Sequence, residues 1–243
     1  DLHLSIRRQR QMCIRDRFRL MSREIATEMG LLMSFMPKPH SDMGGSGFHI
    51  NFSLNDPHGN NVLADPSAED GLADLTRHAI AGLLQHHESL GALLAPLSNS
   101  YRRLVPASMS GYWCNWGYDH RGVTVRIPGE RGRATRIEHR MADCGANPYT
   151  VTAAILLAAK LGVDNKYELQ PADTGDCFEN TDAKRHLANN LSDALVDLQK
   201  DEILKKAIGP ALIDHFIAIK EAEVEKTKGF EIGDEFAYYG HFV

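Results

Sequence analysis

Hydrophobic residues along the chain fall into two periods, and the switch between them outlines the fold. From Arg19 to Gly30, Leu20, Ile25 and Met29 recur at helical spacing with Gly30 as a stop. A strand is expected next, Leu32 to Met36, ended by Pro37 and Pro39 because proline cannot donate to a ladder. In "GFHINFSL", Phe48, Ile50 and Phe52 alternate with His49, Asn51 and Ser53, so a strand places the three polar side chains on one face. After the turn-rich "DPHGNNVLADP", the stretch Ser67 to Pro96 holds a long helical pattern, broken near Gly82 to His87. Ser67 and Asp70 are read as a capping pair at its start. Three more strands are predicted in "YWCNWGYD", "GVTVRIP" and "ATRIEHRMA", the first two joined by a tight hairpin at Asp119 to Gly122.

The second half is helical. "ANPYTVTAAILLAAKLG" predicts a buried helix from Asn147 to Leu161, rich in Ala and Leu and ended by Gly162. From Asp182 onward three helical segments are expected, the last two divided by Gly209-Pro210, and the terminal "FEIGDEFAYYGHFV" is too short for a domain. No internal repeat, low-complexity linker or heptad run interrupts this order.

Composition narrows the class without naming a function. The 243 residues are 43% hydrophobic and 24% charged, enough for a sizeable core, and a formal net charge of -5 points neither to nucleic acid nor to an anionic membrane. No window reaches the roughly 18 apolar residues of a membrane span. Cys13, Cys114, Cys144 and Cys177 lie far apart without CxxC spacing, which fits a reduced, cytoplasmic protein and argues against a zinc knuckle.

The first twenty residues depart from the rest, with six Arg against two Asp and no sustained period. A basic arm and a targeting segment are both readings of such a stretch. "RQRQMCIRDR" also resembles translated adapter sequence, and on that reading residues 1–17 are a non-native leader, set aside from fold reasoning. The true protein would then start upstream, with this chain a fragment.

Charge gathers where the strands are. In "RIEHR", Arg136, Glu138 and Arg140 share one parity, and Arg126 projects opposite Val123, Val125 and Ile127. A sheet face that collects arginines calls for a polyanion, and guanidinium binds phosphate oxygens in pairs. An ion-paired, solvated sheet face is the bland alternative, His49 alone reads as an ordinary sheet histidine, and "GGSG" is neither a P-loop nor a dinucleotide fingerprint. In combination, a His and a Glu on polar strand faces beside arginines could bind a divalent cation bridging phosphates.

Five blocks in order, "FMPKP", "GSGFHINFSL", "NSYRRLVP", "NWGYDHRGVTVRIP" and "RIEHRMADCGANPY", resemble the signature blocks of the catalytic domain of glutamine synthetases and the related γ-glutamyl-amine ligases. The resemblance runs from about Met21 to Lys226. It implies an α+β fold, an antiparallel-rich curved sheet carrying the site on its concave face, with outer helices. It implies a ligase that phosphorylates the γ-carboxylate of glutamate with ATP and then lets ammonia or an amine attack the acyl phosphate. By position, His49 and Glu138 match ligands of the Mg2+ (or Mn2+) on the ATP phosphates. Gly45, Arg103 and Arg140 match glutamate contacts. Asn51 and Ser53 match the strand end touching ATP, and Arg121, Arg126, Arg133 and Arg136 the positive positions around the phosphates. Arg121 and Arg140 carry the catalytic roles, and the expected partners are small molecules and, for the parent protein, copies of itself in a ring.

The departures are equally specific. Gly44 and Asn51 stand where the family usually has Asn and His. Ala107, Ser108 and Met109 occupy the flap where ammonia-using enzymes carry Gly, an aromatic and a Glu, and methionine cannot take a proton. The family's amino-terminal β-grasp domain and further metal glutamates match nothing in residues 1–17, so residues 18–243 are expected to be a partial catalytic domain, inactive alone. A catalytically silent homologue is the alternative. An unrelated domain with a charged sheet face would place His49 and Glu138 far apart, whereas the ligase reading puts them on neighbouring strands.

Overall fold

The computed structural model describes residues 17–178 and 181–243. Of the expected leader only Arg17 falls among them, so that expectation lies outside the described residues. Helix α1 spans 17–28 and stops where Gly30 takes a φ of 70°, a left-handed value that a side chain resists. The strand expected at Leu32–Met36 does not form. That stretch meets the carboxy-terminal residue instead of another strand, with the Phe35 N–H donating to the Val243 carbonyl at 2.8 Å.

Four short strands, β1 (Ile50–Phe52), β2 (Trp116–Tyr118), β3 (Val125–Ile127) and β4 (Ile137–His139), form one open sheet in the order β1-β4-β3-β2. β4 pairs antiparallel with both β1 and β3, whereas β2 and β3 run parallel. Asp119–Gly122 is therefore not a hairpin. The Thr124 N–H donates to the Asn115 side chain at 3.0 Å and the Val125 N–H to the Asn115 carbonyl at 3.1 Å, so the returning chain starts beside the beginning of β2, not its end. Turn residues mark that the chain reverses, not where it is caught again.

The expected parity holds. Asn51, Glu138, Arg126 and Gly117 stand in register across the four strands, and the opposite face contributes Val125, Ile127 and Ile137 to the core. Helices α2 (Asp74–Gln85) and α3 (His87–Leu94) break at His86, inside the expected window. α2 starts at Asp74 without help from the proposed capping pair, because Ser67 bonds to Asp65 and Asp70 to Leu72 and Arg77. α4 (Pro148–Asn165) begins at Asn147, whose side chain accepts from the Tyr149 and Thr150 N–H groups. It does not end at Gly162 but runs on to Lys166, which caps it at φ 51°. Gly162 serves the crossing with α2, where a Cβ would lie 2.1 Å from the His78 carbonyl oxygen.

α5 (Leu191–Lys200), α6 (Glu202–Ile208) and α7 (Pro210–Lys226) are the three expected segments, with Gly209-Pro210 between the last two. A further helix, α8 (Ile232–Tyr239), follows in the tail. The main core joins helices α2 to α7 with the inner sheet face, while Met36, Leu97 and Tyr239 make a small second cluster. The class is α+β.

Candidate active site

A cavity of about 910 Å³ opens against the polar sheet face. Its wall includes Gly44, Gly45, His49, Arg103, Ala107, Ser108, Met109, Arg121, Arg126, Glu138 and Arg140. Seven of the residues predicted for the site are thus brought together: Gly45, His49, Arg103, Arg121, Arg126, Glu138 and Arg140. Asn51, Ser53, Arg133 and Arg136 are not on the wall. Asn51 pairs in register with Glu138 yet is exposed, Ser53 and Arg133 are exposed, and Arg136 turns to Glu130 at 3.2 Å. Lys38, Arg102, Val105, Ser110 and Phe178 also line the cavity and were not anticipated. Lys38 and Arg102 sat inside the quoted blocks "FMPKP" and "NSYRRLVP", whereas Phe178 lies in an irregular stretch that gave no signal.

Glu138 is the centre of the arrangement. Its carboxylate, on a residue 6% exposed, accepts from Arg126 Nη1 at 2.9 Å and lies 3.2 Å from Arg140 Nη1 and 3.5 Å from His49 Nδ1. Burial works against its ionisation, but His49, Arg126 and Arg140 outweigh that and hold its pKa down to about 2. Arg126 reaches Asp119 with its other nitrogen, so it bridges two carboxylates. His49 Nδ1 can serve one neighbour only. Nδ1 lies between Arg140 Nη1 at 3.2 Å, which can only donate, and the Glu138 carboxylate at 3.5 Å, which can only accept, so the tautomer decides which of the two it serves.

An imidazole nitrogen and a carboxylate 3.5 Å apart could share one cation. Among the described residues no group of three His, Cys, Asp or Glu side chains could hold a metal ion, so His49 and Glu138 would be the only such ligands. Magnesium commonly takes one or two carboxylates and fills its other positions with phosphate oxygens and water. The Glu138 carboxylate fits that pattern, and the His49 imidazole adds one softer ligand beside it.

The glycine turn and the flap complete the walls. A Cβ on Gly45 would lie 2.7 Å from the Pro37 carbonyl oxygen and 2.9 Å from Arg103 Cδ, so only glycine fits this approach. Arg103 is buried and donates through Nη2 to the carbonyls of Met141 and Ala142, which fixes it behind the turn. On the flap, Ala107 takes a φ of 56° and Met109 is 56% exposed, its carbonyl 3.4 Å from Arg140 Nη2.

A sequence model of the glutamine synthetase catalytic domain matches residues 14–239. The chain belongs to this family. It is 36% identical over 212 residues to a glutamine synthetase of Clostridium saccharobutylicum, covering 85% of this chain and 48% of that protein. It is 37% identical over 221 residues to a glutamate–methylamine ligase of Methyloversatilis universalis, covering 85% of this chain and 48% of that one. A solved structure described as a GmaS/ADP complex superposes with a TM-score of 0.82 at 30% identity, covering 93% of this chain and 53% of the other. The chain therefore spans about half the length of these relatives, both of the named enzymes being carbon–nitrogen ligases.

Proposed function

We propose that these residues form part of the active site of an ATP-dependent ligase that makes an amide at the γ-carboxylate of glutamate through γ-glutamyl phosphate. The observation that carries this reading is the cavity wall, where Lys38, Arg102, Arg103, Arg121, Arg126 and Arg140 face a single carboxylate, Glu138. Even with Arg102 paired to Glu235 and Arg126 to Asp119 and Glu138, the wall carries more positive charge than its own carboxylate neutralises. Such a wall suits a phosphorylated ligand held beside a second carboxylate.

Arg121 and Arg140 would meet the negative charge on the phosphoryl group as it transfers, and on the acyl phosphate that results. Arg103 would orient glutamate against the turn at Gly45. Glu138 and His49 would hold a divalent cation, which when bound neutralises charge on the phosphate oxygens. Asn51, Ser53, Arg133 and Arg136 keep an outer ATP-contact role in this reading.

The acceptor follows from the flap. Val105, Met109 and Phe178 are the large apolar residues of the cavity lining, and Met109 offers no base, so a short alkylamine suits it better than ammonium. The Met109 methyl resonance is expected to shift on titration with methylamine in the presence of glutamate and to ignore ammonium; the reverse would sink the amine reading. A homo-oligomer belongs to the same proposal. Phe18, Leu20, Met21, Ile25 and Met29 of the first helix region are each more than half exposed, an apolar stripe of the kind that association covers. Sedimentation velocity reads that directly.

The central test is binding. Calorimetry on the 243-residue chain is expected to show magnesium-dependent ATP binding and L-glutamate binding, and absence of both would overturn the reading. Phosphate release from ATP and glutamate should stay at background, since the described residues supply only two metal donors. Clear turnover would refute that inactivity.

A further inference from the structure

Helix α8 lies outside the cavity, yet one of its carboxylates is tied to two parts of the cavity wall. Glu235 is 4% exposed, and its Oε2 accepts from both Asn99 Nδ2 and Arg102 Nε, each at 2.7 Å. Asn99 is itself fully buried and grips the backbone of Lys38 from both sides. Its Oδ1 accepts from the Lys38 N–H at 2.8 Å and its Nδ2 donates to the Lys38 carbonyl at 2.8 Å. The preceding carbonyl, that of Pro37, accepts from the Ser46 N–H at 2.8 Å and sits against the open face of Gly45. The glycine turn therefore hangs from Pro37-Lys38, these two residues hang from Asn99, and Asn99 is aimed by Glu235. Arg102, which lines the same cavity, shares the same carboxylate oxygen.

A buried carboxylate is costly unless its oxygens are well bonded, and an apolar residue would pack α8 without that cost. What a carboxylate adds is direction. We propose that Glu235 is a positioning residue: through Asn99 it sets the turn at Gly44–Gly47, and through Arg102 it sets the adjoining wall, so the tail helix fixes the geometry of the cavity. As a role in glutamate binding this rests on the ligase reading above; as a mechanical link it does not.

The experiment compares E235A, E235Q and N99A with Y239F in the full chain. Tyr239 anchors the same helix through its hydroxyl, which donates to Glu223 at 2.7 Å, away from the bonds that Glu235 makes to Asn99 and Arg102. Amide exchange at Lys38 and Ser46, read without any ligand, is expected to quicken roughly tenfold in E235A and N99A, the worth of one well-made buried hydrogen bond. E235Q, which keeps a carbonyl acceptor for Asn99, should fall between them and wild type, and also serves if E235A does not fold. Y239F should lower the thermal midpoint without quickening those two amides. L-glutamate affinity should fall in the order of the exchange rates. Exchange at Lys38 and Ser46 that is no faster in E235A or E235Q than in Y239F overturns the proposal. Wild-type protein that fails to bind L-glutamate overturns the ligase reading instead, leaving the exchange rates to decide the link.

Discussion

Arg103 is pressed against Gly45 so closely that a Cβ on the glycine would lie 2.9 Å from Cδ of the arginine and 2.7 Å from the Pro37 carbonyl oxygen. The arginine cannot retreat easily, because its Nη2 is held by the carbonyls of Met141 and Ala142. Gly45→Ala must therefore push the turn outward. A loss of L-glutamate affinity of roughly tenfold or more is expected, since small displacements of a positioning group are expensive at such sites. Gly44→Ala is the control, with nothing within 4 Å of its Cβ. Equal affinities for the two variants by calorimetry would remove the turn from the binding site.

Glu138→Gln separates metal binding from anion binding. The amide keeps much of the shape but loses the charge shared by Arg126, Arg140 and His49. ATP affinity is expected to lose its dependence on magnesium, while inorganic phosphate binds at least as well as before, because Arg140 has lost its carboxylate partner and Arg126 keeps only Asp119. Retention of the full magnesium effect in titrations with and without the metal would show that Glu138 is no ligand.

Gly162 and Gly82 let α4 and α2 cross at contact. With a Cβ, Gly162 would meet the His78 carbonyl oxygen at 2.1 Å and Gly82 would meet the Ala158 carbonyl oxygen at 2.2 Å, backbone atoms that cannot swing aside. Gly162→Ala should destabilise by about 1–3 kcal/mol through overpacking, which outweighs the better helix propensity of alanine. Urea unfolding checks this, and an unchanged or raised midpoint would contradict the close crossing.

Gly162 also shows where sequence reading ran short. As a local signal it reads as a helix stop, and only the tertiary contact with Gly82 reveals its use inside the helix. The same holds for Asp119–Gly122: Asp and Gly signal a turn, but the hydrogen bonds from Thr124 and Val125 to Asn115 decide that β3 runs parallel to β2. What period and parity control was legible, namely the sheet face bearing His49, Glu138 and Arg126, and the helix break at His86. Parity also put Arg140 on the face of Glu138, and the family blocks added Gly45, Arg103 and Arg121, which alternation alone could not gather. Phe178 and Glu235 were out of reach because each arrives at or behind the cavity by packing between distant segments, and neither belongs to a local pattern.

His87 gives the chain a defined weakness in acid. Its side chain is fully buried, with Nε2 3.2 Å from the Tyr112 carbonyl, and desolvation lowers its pKa to about 4 despite the pull of Glu88. In the unfolded chain the imidazole titrates near the ordinary value of about 6.5. Between those two values the unfolded state binds a proton that the folded state refuses, so stability falls as pH drops from about 6.5 towards 4, by up to about 1.4 kcal/mol per pH unit. Glu138 acts lower down: its folded pKa of about 2 makes its contribution present above the ordinary carboxylate range and lost as pH falls towards 2. The two windows are separable. Urea midpoints at pH 7, 5.5 and 4.5 should decline in wild type and decline less steeply in His87→Leu, whose stability at pH 7 is also lowered because the Tyr112 carbonyl keeps only the Leu187 N–H of its two donors. Parallel pH slopes for the two proteins would show that His87 accepts its proton in the folded state and that its burial sets no acid limit.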